Sequence, residues 1–108
     1  MNAPTELGSP ADGDAFVAQD GGTRWAASGG VTFQNAGSVL EASRNLPLPT
    51  SGVVDCAALH PVDSAGVAVL LALKRRAAQQ GKPLAFPNVT PSLHTLADLY
   101  GVEELLAA

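Results

Sequence analysis

A chain of 108 residues has length for one hydrophobic core, and 46% hydrophobic against 15% charged residues makes it globular, not disordered along its length. Its net charge of −4 is concentrated at one end: Glu6, Asp12, Asp14 and Asp20 precede any Lys or Arg, and the remaining six acids and six bases cancel. No broad basic field exists to release counterions from phosphates, so nucleic acid is disfavoured as a partner.

Residues 1–13 hold two prolines, two glycines and two acids without periodicity and read as a mobile tail. The remainder, 14–108, reads as a single domain. Asp14 to Ala18 is expected to form a short edge strand. Paired glycines in Gln19-Asp-Gly-Gly22 then turn the chain into a second strand, Thr23 to Ser28, centred on Trp25. After Gly29-Gly30 the spacing becomes helical, with Thr32 as cap and Phe33, Ala36, Val39 and Leu40 on one face. Asn45 to Gly52 breaks that helix. Val53 to Leu59 is a mostly apolar run that reads as a strand buried on both faces.

His60 to Ser64 connects this strand to a strong helix capped by Asp63 or Ser64. Lys74, Arg75 and Arg76 occupy its later turns, and Gly81 and Pro83 stop it. With Lys82 those three bases form a run expected as a solvated helix end, the alternative being a dock for an acidic surface of a partner protein. Leu84 to Phe86 is long enough only for a short strand. Thr90-Pro91 opens a third helix, whose core stripe is Leu93, Leu96, Ala97 and Tyr100. Gly101 ends it, and Val102 to Leu106 reads as one more helical turn. The order β-β-α-β-α-β-α predicts an α/β domain, a small mixed sheet of about four strands with helices on one face.

The residues for catalysis are sparse. The chain has one cysteine, Cys56, inside an apolar strand where a thiol is inert packing, and two histidines, His60 and His94, expected as solvated polar residues. Cys56 and His60 would be half a zinc site, with no second cluster to complete it. Gly81-Lys82 lacks the rest of a phosphate-binding loop. We expect no enzyme, no metal and no cofactor. A lone cysteine also excludes an internal disulfide and fits a reducing compartment. With no secretory leader, and a longest apolar run of nine residues against the roughly 20 of a membrane span, a cytoplasmic protein without membrane insertion is expected.

Asp63-Ser64-Ala65-Gly66-Val67 stands at the junction of a buried strand and a buried helix. An N-cap with small residues behind it explains this segment in structural terms. A hydroxyl at an exposed helix N-terminus also suits a partner contact or a phosphate. Here the chain resembles the STAS domain family, whose signature is Asp-Ser-x-Gly-Leu. The resemblance covers about residues 24 to 106, and includes Gly30-Val31-Thr32-Phe33 as the entry to the first helix and Val54-Asp55 as the central strand.

Two branches of that family compete. In anti-sigma factor antagonists the residue matching Ser64 is phosphorylated by a serine kinase that is also the anti-sigma factor. In MlaB-like proteins the STAS domain is an accessory subunit that docks on the cytoplasmic ATPase of a lipid-asymmetry ABC transporter. Gln80-Gly-Lys-Pro83, Asn88-Val-Thr-Pro-Ser-Leu93 and Thr95-Leu-Ala-Asp-Leu-Tyr-Gly-Val102 look like the transporter subunits. The resemblance therefore implies a partner-binding surface at Asp63, Ser64, Ala65 and Gly66, with Tyr100 as an aromatic contact and Ser64 as the candidate phosphorylation site. The location it implies is the cytoplasm, at the inner face of the membrane through the transporter. An exposed apolar docking face is also a route to a homodimer.

Overall fold

The structure, a computed structural model, describes residues 15–102. The tail expected over 1–13, and most of the last helical turn expected over Val102 to Leu106, lie outside these residues. The elements are β1 (Phe16–Gln19), a 3-10 turn (Asp20–Gly22), β2 (Arg24–Val31), α1 (Ala36–Ser43), β3 (Val53–Val62), α2 (Ser64–Gln79) and α3 (Pro91–Leu99). The sheet order is β1-β2-β3, with β1 antiparallel and β3 parallel to β2. Gly21 and Gly22 turn the hairpin at φ 69° and 88°, the left-handed region that paired glycines supply without strain.

One face of the sheet carries the core. Phe16, Trp25, Ala27, Val31, Val54, Cys56 and Leu59 are buried, and Val39 of α1, Leu70 and Leu73 of α2 and Leu93 of α3 join them. Trp25 is fully enclosed. Its ring lies 5.6 Å from that of Phe16, and its indole N–H donates to the Pro47 carbonyl at 3.1 Å, so the one polar atom of the core aromatic is satisfied.

Four expectations are corrected. β3 is buried on one face, not both, because helices cover only one side: Val54 and Cys56 point inward, while Ala57 and Ala58 are exposed. β2 continues through Gly29-Gly30 to Val31, with its register against β3 shifting between Ala26 and Ser28 and again between Gly29 and Val31. Leu84 to Phe86 is not a strand. It makes one parallel bridge, Ala85 to Val53, although the N–H groups of Val54 and Cys56 donate to Ala85 and Pro87 at 3.0 and 2.9 Å. Proline at 87 has no N–H to return, so the ladder stops there.

The fourth correction concerns α1, which begins at Ala36 and not at Thr32. The carbonyl of Thr32 accepts from the N–H groups of Asn35 and Ala36, and the Asn35 side chain bonds Thr32 N–H and the Gly30 carbonyl, each at 2.8 Å. This closed turn takes Phe33 off the helical face. Its side chain is exposed, not packed in the core.

Candidate functional site

Asp63 is the N-cap of α2. One carboxylate oxygen accepts from Ala65 N–H at 2.8 Å and Gly66 N–H at 3.3 Å, satisfying two donors that a helix start otherwise leaves unpaired. The other accepts from the backbone N–H of Phe33 at 3.0 Å. These bonds, the one from Phe33 foremost, hold the Asp63 carboxyl below the usual carboxylate range. Asp63 is therefore an anion fixed by three backbone donors, and its role is architectural.

Ser64 follows as the first residue of α2, and it is exposed. Its hydroxyl has no hydrogen-bond partner among the described residues, because Asp63 already serves the free N–H groups of the first turn. Ala65 is half-buried. Gly66 is buried and faces inward: a Cβ there would clash with the Val31 carbonyl oxygen and a Val62 methyl. The glycine lets α2 start directly against the end of β2, so it shapes the site from beneath.

Tyr100 does not belong to the α3 core stripe as the spacing predicts. It is the C-cap residue, 54% exposed, while Leu93 and Ala97 carry the packing. No hydrogen bond joins Tyr100 to residues 63–66 among those of the described residues. The exposed aromatic linked to this helix start is Phe33, 77% exposed, whose backbone N–H bonds Asp63, the residue before Ser64. The spacing placed Phe33 in the core. The contrary signal was the pair Thr32 and Asn35, two residues that favour turns over helix interiors.

The other chemistry-bearing groups are accounted for by packing or solvent. Cys56 is buried, its thiol pushed up to about 12 by burial and, secondarily, by the neighbouring Asp55 charge. Asp55 accepts from Ala57 N–H and the Asn88 side chain, and both bonds hold its carboxyl low. His60 and His94 are exposed. Among the described residues no three His, Cys, Asp or Glu side chains gather where they would hold a metal ion, and no helix is long and apolar enough to cross a membrane.

Arg76 departs from the solvated helix end expected of the basic run. Its guanidinium donates to the carbonyls of Ser43 at 2.9 Å and Leu46 at 2.8 Å, capping the open end of α1 from the neighbouring helix. Arg75 and Lys82 are exposed as expected.

No curated protein matches the chain. The family model described as "Mlab, STAS domain" matches residues 15–107, nearly the whole length and all of the described fold. With a mixed α/β sheet, a parallel β2–α1–β3 passage and an Asp-capped α2 following β3, the chain belongs to the STAS domain family, of the MlaB type.

Proposed function

We propose that the chain is a non-catalytic protein-binding module, the cytoplasmic accessory subunit that docks on the ATPase of a phospholipid-trafficking ABC transporter of the Mla type. The observation that carries this reading is the pairing of two exposed residues at one corner: Ser64 at the start of α2 and Phe33 on the turn bonded to Asp63. A large exposed aromatic on a turn bonded to the N-cap of an accessible helix start has the composition of an interface anchor and its seat. Membership of an MlaB-type family supports the transporter ATPase as the partner.

The alternative is an anti-sigma factor antagonist, with Ser64 phosphorylated by a partner serine kinase. The exposure of Ser64 and its free hydroxyl among the described residues favour that reading as chemistry. A phosphate would add close to two negative charges to the docking corner and break a packed contact.

The test is a titration of the ATPase, purified from the same cells, with wild-type protein, Ser64→Ala and Ser64→Glu. A docking contact at Ser64 predicts a mild effect for alanine and a loss of about tenfold or more for glutamate, through a charge stripped of water. Equal affinity of the three proteins would remove Ser64 from the interface. Phosphate on Ser64, with a serine kinase co-purifying in place of the ATPase, would establish the alternative.

A further inference from the structure

A groove of about 290 Å³ runs between α1 and α2. Leu40 and Ala72, both half-buried, supply its apolar surface, and Arg44, Arg75 and Arg76 line it from both helices. The backbone carbonyls that anchor Arg76 are neutral, so its guanidinium is immobilised with its full charge intact. Arg75 is exposed and makes no ion pair among the described residues. Among the described residues Arg44 pairs only with Glu41, with both side chains more than half exposed (62% and 73%), a pairing that water and salt weaken readily.

Cations do favour the last turns of helices. That preference accounts for Arg76, which caps α1. It also accounts for Arg44, the C-cap of α1, but not for Arg75, which lines the same groove from α2 and brings a third guanidinium to it. Guanidinium groups match carboxylates in bidentate geometry, and here they flank a surface suited to a hydrocarbon side chain.

We propose that this groove binds an acidic segment of a partner protein, its carboxylates against Arg44 and Arg75 and an apolar side chain against Leu40 and Ala72. The proposal rests on the reading of the chain as a docking module. A nucleic acid strand would need a longer basic track than three side chains provide. Arg75 lies eleven residues along α2 from Ser64, about 16 Å at the helical rise, so this is a second contact and not an extension of the first. Engaged together, the two would reinforce each other through effective concentration, with neither contact needing to be strong.

The experiment is fluorescence anisotropy with the full chain and a labelled decapeptide of glutamates around two leucines, beside the same peptide with lysines for glutamates. Saturable binding of the acidic peptide alone is expected. It should weaken about tenfold in Arg44→Glu/Arg75→Glu, the scale of losing charge-assisted contacts, and fall with added salt. Lys74→Glu/Lys82→Glu changes net charge equally away from the groove and should bind as wild type. Arg44→Gln/Arg75→Gln gives the same reading should the glutamate variant unfold.

Ser64→Glu should also bind the peptide normally, which separates this site from the ATPase contact proposed at Ser64. The proposal is overturned by any of four results: no saturation with wild type, undiminished binding by the arginine variants, an equal loss in the lysine variant, or a loss in Ser64→Glu. Displacement of the peptide by an equal concentration of a short single-stranded oligonucleotide would overturn it as well, by giving the groove a different occupant.

Discussion

The Asp63 carboxylate accepts the backbone N–H of Phe33 at 3.0 Å, across a sequence separation of 30 residues. Its second oxygen holds the first turn of α2. One side chain thus sets both the helix start that presents Ser64 and the turn that presents Phe33. The two exposed residues of the candidate interface are positioned by a residue that need not touch a partner at all.

Replacing Asp63 separates its roles. Asp63→Asn keeps one acceptor oxygen but loses the charge and sets an NH2 group against the remaining backbone donors, whereas Asp63→Ala loses both oxygens and the charge. The urea midpoint should therefore fall for each, and further for alanine. Because the folded carboxyl titrates lower than the unfolded one, its contribution is present above the unfolded pKa and lost as the pH falls through the folded value. Urea midpoints of wild type and Asp63→Asn, measured from neutral pH into acid, should converge; a constant gap would mean that the charge carries no stability.

Gly66→Ala adds a single methyl group where the Val31 carbonyl and Val62 already meet the helix. The expected cost is about 1–3 kcal/mol, the range for overpacking a close contact, read from denaturant unfolding. A variant as stable as wild type would show that α2 can back away from β2 at no expense.

Cys56 should resist alkylation in the folded protein at pH 8 and react readily in urea. Between the free-thiol value near 9.0 and the folded value of about 12, only the unfolded chain releases the proton. Stability should then decline as pH rises through that window. Iodoacetamide labelling followed by mass spectrometry reads the first effect, and rapid labelling without denaturant would place the thiol in solvent.

Phe33→Ala removes a ring that packs against little of its own protein, so stability should stay within about 0.5 kcal/mol of wild type. Affinity for the partner ATPase should drop about tenfold or more if the ring is an interface anchor. Tyr100→Ala, measured beside it, weighs the other exposed aromatic. Unchanged affinity in Phe33→Ala would strip the corner of its main apolar contact.

What could be read in advance follows from the range of the forces involved. The caps at Asp63 and Thr90 were legible because a cap is made with N–H groups two or three residues away. The strands of the hairpin and the β3–α2 passage were legible for similar reasons, through turn glycines and long apolar periods. Phe33 and Tyr100 were misplaced because apolar spacing says which face a residue shares, not where the helix begins or ends. Ala57 and Ala58 made β3 look buried throughout, since alanine is tolerated equally in a core and at an exposed position. Arg76 was beyond reach: its carbonyl partners at Ser43 and Leu46 are 33 and 30 residues away. Pro87 did hold the clue to the missing fourth strand, in the N–H it lacks.

The two long-range polar ties around α1 both originate in the α2 segment. Asp63 secures the turn that leads into it, and Arg76 closes the carbonyls at its far end. A helix of eight residues has no persistence of its own in water. Its lifetime is therefore borrowed: α1 can unwind only when the sixteen-residue α2 lets go at one end or the other. In hydrogen exchange the amides of Val39 and Leu40 should keep pace with those of Leu70 and Leu73, so that a short helix and a long one melt as a single cooperative unit.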